Sequence, residues 1–273
     1  MSSNLKKLKP TNSSSRGVVL IKKNHLWKEG PLGSLTVRLK NTGGRNNRGV
    51  ITCQGKMSIY AKMYRKVDFL RKKEDCSAVV ERIEYDPNRT AFIALIKYED
   101  GTMSYILAPD KLKVGATVSS GPDAEIVLGN ALKLKHIPMG TTIHNVELIP
   151  GRGGGIARSA GAFASLSGKE MGYAILKMPS SEIRKVPLEC RATIGIVSNI
   201  DLFNEVLGKA GRSFYRGRRP HTRGTCRNPV DHHNGGRGVG KVLCNFNGNV
   251  IKGKKTRDKN KLSSKMIISR RKK

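Results

Sequence analysis

Aromatic side chains are scarce in this chain. They make up 5% of its 273 residues, with one tryptophan, Trp27. Hydrophobic residues of all kinds reach 37%, low for a single large globule of this length. That excludes one big core and leaves room for one or two small ones. No apolar run is long enough to span a bilayer as a helix, so a transmembrane reading is excluded. The five cysteines, Cys53, Cys76, Cys190, Cys226 and Cys244, are odd in number and lack CxxC pairing. They read as free thiols in a reducing compartment, not as a disulfide framework. Helical periodicity is also missing from most of the chain. Only NIDLFNEVLG (199–208) spaces Ile200, Leu202, Phe203, Val206 and Leu207 for a helical turn or two, stopped by Gly208.

Acidic residues are the other shortage, and their distribution is informative. The chain holds 52 Lys+Arg against 20 Asp+Glu, a net charge of +32. Residues 1–73 carry 18 bases and 2 acids, and residues 201–273 carry 20 bases and 4 acids, so each end has a net charge of +16. Residues 74–200 carry 14 of each. A neutral middle between two cationic arms implies a folded centre with ends built to lie in a polyanion. Nucleic acid is the first candidate and an anionic membrane surface the second. The first acid is Glu29, and the Lys- and Ser-rich start has the composition of a mitochondrial transit peptide. Pro10 and the polar TNSSS stretch interrupt any amphipathic helix there, so residues 1–15 read as an uncleaved basic arm.

What is present in the middle is strand pattern. AVVERIEY (78–85), AFIALIKY (91–98) and TMSYILA (102–108) are β-branched and aromatic runs, separated by DPNR and EDG turns. They predict an antiparallel meander closed as a small barrel. TIHNVEL (142–148), GAFASLS (161–167), YAILKMP (173–179), EIRKVP (182–187) and ATIGIVS (192–198) form a second set. The expected fold is all-β, with two consecutive barrels over 74–130 and 131–200. A basic extension over 1–73 precedes them and another over 201–273 follows. The second extension is too polar and glycine-rich to bury a core alone.

Four chemistries compete for NPVDHHNGG (228–236). Asp231 and His232 could form a general-base dyad, but no serine or cysteine nucleophile sits beside them. Cys226, His232, His233 and Cys244 supply zinc-type ligands, yet the C-x5-H-H-x10-C spacing is unlike paired zinc clips. GGRGVGKV (235–242) nearly matches a phosphate-binding loop, but Val242 stands where a hydroxyl is needed, with no strand before and no helix after. The remaining reading is packing against nucleic acid. Glycines let backbone approach phosphates, and arginines fork onto them or stack on bases. TGGRNNRG places Arg45 and Arg48 in such a run, and GRGGGIARSAG (151–161) brackets its triglycine with Arg152 and Arg158. Lys209, Arg212, Arg216, Arg218, Arg219, Arg223 and Arg227 follow in the tail beside Phe214 and Tyr215, then Lys254, Lys255 and Arg257. Without a recognition helix, irregular arms suit folded RNA better than a regular DNA groove.

Together, TGGRNNRG, VDF, AVVERIEYDPNRTAFIALIKYEDGTMSYILAP, IPMGTTIHNVEL, GRGGGIARSAG, CRATIG, LGKAGR, RGRRPHTRGTCRNPVDH and KGKKTR resemble the universal second protein of the large ribosomal subunit, bacterial type. The resemblance covers about 40 to 273. It implies an oligonucleotide-binding-type barrel and then an SH3-like barrel, with a boundary near 130 and flanking arms threaded into large-subunit rRNA. It also implies a place near the peptidyl transferase region, neighbouring ribosomal proteins, a small-subunit contact at a bridge, and support for subunit association. Neither an enzymatic activity, a cofactor nor a small-molecule substrate is implied. By motif position Arg89 (in DPNR) and Arg158 (in IARSAG) would contact rRNA, and His232 would be the histidine of the family's NPVDHPHGG segment, in a structural role.

The chain departs from that pattern in three places. TCQGKMSIYAKMYRK (52–66) stands where a GGGH-containing turn is usual. His233, Asn234 and Arg237 alter the NPVDH segment, and CNFNGNVIKG lacks a PVTPWG stretch. Such drift points to a mitochondrion, with a bacterial cytoplasm or plastid as alternatives. The rival functions are a metal- or His-dependent RNA-processing enzyme and a free RNA chaperone.

Overall fold

The strand runs of the middle become a continuous ladder. The computed structural model describes residues 4–57, 62–236, 242–253, 255–258 and 260–271. Among them, eleven strands share one hydrogen-bonded sheet: β1 (Cys76–Glu84), β2 (Ile93–Tyr98), β3 (Met103–Leu107), β4 (Thr117–Ser120), β5 (Ala131–Lys133), β6 (Thr142–His144), β7 (Ala164–Glu170), β8 (Tyr173–Lys177), β9 (Ile183–Pro187), β10 (Arg191–Ile194) and β11 (Ile267–Ser269). Their spatial order is β11-β9-β8-β7-β6-β10-β5-β4-β1-β2-β3. Every pairing is antiparallel except β4 with β5, which meet in parallel at Ser120↔Ala131. The fold class is all-β, as the strand spacing predicts.

Each half of the ladder has its own core. Ala78, Val80, Phe92, Ala94, Ile96, Ile106 and Val118 pack together in the first half. Leu132, Leu134, Ile137, Ile143, Val146, Leu166, Leu176, Val186 and Ile194 do so in the second. The turns follow from their residues. Asp86 Oδ1 accepts the Asn88 N–H at 2.9 Å, and Asp100 Oδ1 accepts the Thr102 N–H at 3.0 Å, each side chain mimicking a backbone turn. β2 is buried on both faces. Its opposite side, Ile93 and Leu95, meets Tyr105, Leu32, Leu35 and Val67, so part of the basic N-terminal segment covers the sheet. A polar network fixes that cover. Tyr105 Oη donates to the buried Glu84 carboxylate at 2.9 Å and accepts the Leu32 N–H at 2.9 Å, while Arg82 Nε donates to Glu84 at 2.7 Å.

The helical turn expected at 199–208 is present but ends before Gly208. The segment forms a 3-10 helix, Ile200–Asn204, entered from a left-handed Asn199. Val206 then exchanges backbone hydrogen bonds with Val19 at 3.1 and 2.9 Å. Strand-like pairing to another segment competes with helix continuation and wins.

The chain divides into two compact units. One comprises 1–40, 61–208 and 265–273 and holds the sheet and both cores. The other comprises 41–60 and 209–264. Within it lie a short helix, Ala210–Tyr215, and a 3-10 turn, Gly224–Cys226. Backbone pairing of Lys56 with Arg218, and the Arg219 N–H to Gly55 O at 2.8 Å, tie its two stretches together. Among the described residues, none of its side chains joins a hydrophobic core cluster, so turns, backbone bonds and individual side-chain contacts hold it. The run MIIS within the tail rejoins the first unit as β11, pairing with β9. Arms and centre thus interleave along the sequence more than the charge blocks alone suggest.

Candidate nucleic-acid interface

In the first unit, the loop 151–158 follows Val146–Glu147, which pairs with Gly154–Ile156 through a bulge. Its shape is imposed from beneath by an acid. The buried Glu147 carboxylate accepts the Gly153 N–H at 2.9 Å, the Gly151 N–H at 3.3 Å and the Arg191 N–H at 3.1 Å. Gly154 has to be glycine: its N–H reaches Phe69 O at 3.1 Å, and a Cβ there would collide with the Asn145 side chain. Arg158 is exposed, and its Nη1 donates to Gly154 O at 2.7 Å. Its guanidinium carbon lies 4.0 Å from the Phe69 ring centroid.

Arg89, from the DPNR turn, reaches the same ring at 5.4 Å. Its Nε donates to the buried Asp86 carboxylate at 2.5 Å. Two guanidiniums are therefore stacked on one phenylalanine, each with a second tether. The arrangement presents forked donors in fixed orientation, the geometry that phosphate oxygens and base edges require. Arg152 is exposed on the same loop.

Two titratable groups are buried in the same unit. His144 Nδ1 donates to Gly195 O at 2.9 Å, and burial pulls its imidazole down to about 4. The Cys190 thiol is pushed up to about 12, first by burial and then by Glu147 and Glu189.

In the second unit, the NPVDHHNGG segment is a turn locked by its own backbone and side chains. The Asn234 N–H donates to His232 Nδ1 at 3.0 Å, which leaves the proton on Nε2. Gly224 makes room for the imidazole: a Cβ there would overlap the ring. Phe246 meets the His232 ring edge-on at 6.3 Å. Asn234 also clamps Cys244, donating Nδ2 to its carbonyl at 2.7 Å and accepting its N–H at 3.0 Å. Asp231 is exposed and, among the described residues, makes no bond to His232. The Asp-His base arrangement is absent from this geometry. No group of three or more His, Cys, Asp or Glu among the described residues could hold a metal ion.

The other predicted residues distribute as follows. Arg45 and Arg48 are exposed in a turn where Asn46 Oδ1 accepts the Arg48 and Val50 N–H groups at 3.0 and 3.1 Å. Lys209, Arg216, Arg218 and Arg223 are exposed, and Arg212 is half-buried in the short helix. Arg219 is exposed, stands 5.7 Å over Phe214 and donates to Met57 Sδ at 3.8 Å. Arg227 is half-buried and held by Gln54 Oε1 at 2.7 Å. Lys255 and Arg257 are exposed, the latter bonded to Ser264 Oγ at 3.0 Å, while Lys254 lies outside the described residues. Sequence reasoning missed Glu147 and Gln54 as supports for the arginines, and the Asn234 clamp. Only Glu147 carried a signal, as a lone acid beside the triglycine run.

Residues 32–120 match the model of the RNA binding N-terminal domain of Ribosomal Proteins L2, and residues 127–260 match that of their C-terminal domain. Large ribosomal subunit protein uL2 of Rickettsia peacockii (strain Rustic) is 56% identical over 273 residues, covering 98% of this chain and 99% of its own. The uL2 proteins of Rickettsia massiliae (strain Mtu5) and Rickettsia akari (strain Hartford) show the same identity and coverage. Among the described residues, no helix is long and apolar enough to cross a membrane.

Proposed function

The chain belongs to the ribosomal protein L2 family, and from that premise we propose which of its surfaces engage rRNA and where. It is a non-enzymatic constituent of the large ribosomal subunit and binds RNA. The Arg89–Arg158 face and the arginines of the second unit contact large-subunit rRNA near the peptidyl transferase region. The stretches 74–130 and 131–200 dock as shaped barrels, and the basic extensions neutralise phosphates. A contact with the small subunit at a bridge completes the role in subunit association. The observation that carries this reading is the double stacking of Arg89 and Arg158 on Phe69, above a loop pinned by Glu147. With Arg158 exposed and Arg89 half-buried, a pair held this firmly has little freedom left to lose on binding.

His232 acts in RNA architecture: its Nδ1 is occupied by the Asn234 N–H, and its ring is packed at Gly224 and Phe246. The relatives come from Rickettsia, which supports a bacterial-type ribosome. The finer placement in a mitochondrial matrix rests on the drift at 52–66 and 233–237, and cell fractionation tests it.

The deciding experiment measures binding of the full-length protein to large-subunit rRNA over a salt series. The double variant R89A/R158A should lower affinity at least tenfold and reduce the salt slope by about one to two released counterions. Unchanged affinity and slope would refute the assignment of this face. Co-sedimentation with large subunits in high salt separates a resident protein from a free chaperone, which washes off.

A further inference from the structure

The chain's one tryptophan and an exposed tyrosine lie where two stretches of the first unit meet, each with a cation seated on its ring. Lys23 Nζ is 3.6 Å from the Tyr85 ring centroid, and the Arg82 guanidinium carbon is 4.9 Å from that of Trp27. Both contacts run between the same segments, 23–27 and 82–85. Trp27 is 40% exposed and Tyr85 45% exposed, so each ring keeps open surface besides the part its cation covers. Neither takes part in the Arg89–Arg158 stack on Phe69.

Both rings are carried on fixed backbone. Leu26 is buried in the core of the first half of the ladder, and the His25 ring meets Phe92 edge-on at 5.6 Å. The Trp27 N–H donates to Ile83 O at 2.8 Å, which joins the segment to β1. Arg82 Nε donates to the buried Glu84 carboxylate at 2.7 Å, so the cation against Trp27 is itself tethered. Tyr85 follows directly on β1 and leads into the DPNR turn. The entropy of ordering these side chains is lost in folding, not at the moment of binding.

Charge and composition decide what covers the rings. Residues 1–29 and 81–85 together hold eight bases and three acids. Of those acids Glu84 is buried and bonded to Arg82 and Tyr105. The exposed residues beside Trp27 are Lys22, Lys23, Asn24, His25, Lys28 and Glu29. Among the described residues of 4–36, no other large hydrophobic side chain is exposed. The core of a protein contact is apolar and depleted of charge, and this setting is the reverse. Nucleic acid suits it: every base offers a π-face to an aromatic ring, and cations alongside meet the phosphates. In RNA such faces come from unpaired, splayed-out bases. We infer that Trp27 and Tyr85 stack on unpaired nucleotides of the large-subunit rRNA, with the flanking lysines on the adjoining phosphates. The inference rests on the rRNA-binding reading above and adds a site and a nucleotide state to it.

Because Trp27 is the only tryptophan, its fluorescence reports this site alone. The full-length protein is titrated with large-subunit rRNA, and binding is followed in the same samples by filter retention. Stacked bases should quench the emission about twofold or more at saturation. Inorganic polyphosphate, which supplies phosphates without bases, should bind and leave the emission unchanged. W27A should lower rRNA affinity about fivefold or more with an unaltered salt slope. W27F should recover most of that loss, and Y85A should weaken binding in the same direction. Unquenched emission with rRNA bound, equal quenching by polyphosphate, or wild-type affinity in both W27A and Y85A would overturn the inference and leave the wider reading intact. Emission that changes only once the other large-subunit proteins are added would assign the rings to a protein contact and overturn it too. A wild-type chain that fails to bind rRNA at all would sink the wider reading, and this site with it.

Discussion

Glu147 is the group whose removal should reveal how the arginine loop is held. The substitution Glu147→Ala deletes a buried carboxylate that accepts three backbone N–H groups. Hydrogen bonds to a charged acceptor contribute about 1.5–3 kcal/mol each. The bonds to Gly153 at 2.9 Å and Arg191 at 3.1 Å are well formed, whereas Gly151, at 3.3 Å, is exposed and finds water instead. Two such bonds give roughly 3–6 kcal/mol, and relief of the carboxylate's desolvation offsets part of that. The expected net loss is therefore about 3 kcal/mol. Glu147→Gln keeps one acceptor oxygen and loses the charge, so about 1–2 kcal/mol should go. Urea unfolding of the full-length variants measures both. Because the carboxylate also positions Arg152 and Arg158, rRNA affinity should fall in the same order, Ala below Gln below wild type. A loss under 1 kcal/mol for Ala, or equal losses for Ala and Gln, would refute the idea that this acid sets the loop.

Arg158→Ala should weaken rRNA binding more than a change at the exposed tail residue Lys261, Lys261→Ala, because Arg158 is tethered on the 151–158 loop, and equal effects in a filter-binding assay would contradict that. His144 is neutral when folded, its imidazole held down at about 4 against an ordinary 6.5. Its contribution is complete above about pH 6.5 and is lost as pH falls from there toward 4, roughly 3 kcal/mol in all. His144→Leu should flatten that part of the stability–pH curve, and an unchanged curve would rule the group out. The Cys190 thiol, buried and raised to about 12, should resist iodoacetamide at neutral pH while exposed Cys53 and Cys226 react. Mass mapping of the native protein decides this.

The strands were legible because each run alternates or clusters β-branched residues between strong turns. The run at 78–85 appears as Cys76–Glu84, and that at 173–179 as Tyr173–Lys177. Burial of both faces of Ile93–Tyr98 was not legible, since its cover comes from Leu32 and Leu35, some sixty positions away. The same holds for the pairing of 41–57 with the tail. Sequence pattern reports local period, and these contacts are made by turns and single backbone bonds between distant stretches. In the site, the Gly-Arg runs announced themselves by repetition. Phe69 as a shared stacking ring did not, because one phenylalanine in VDF looks like any core residue. For Asp231-His232 the adjacency that suggested a dyad was misleading: the imidazole turns to the Asn234 amide, and Asp231 faces solvent.

The β9–β11 pairing has a consequence for synthesis on the ribosome. Ile267 follows Pro187 by 80 positions (267 − 187), so for the several seconds needed to make that length β9 is the unsealed margin of a growing sheet. Such a margin invites pairing with other nascent chains. Its sequence, IRKVP, carries Arg184, Lys185 and a proline that cannot donate, the residues that discourage unwanted strand addition. The interval is thus guarded by composition until the MIIS run arrives to close the margin, and a chain truncated before it would keep that margin open.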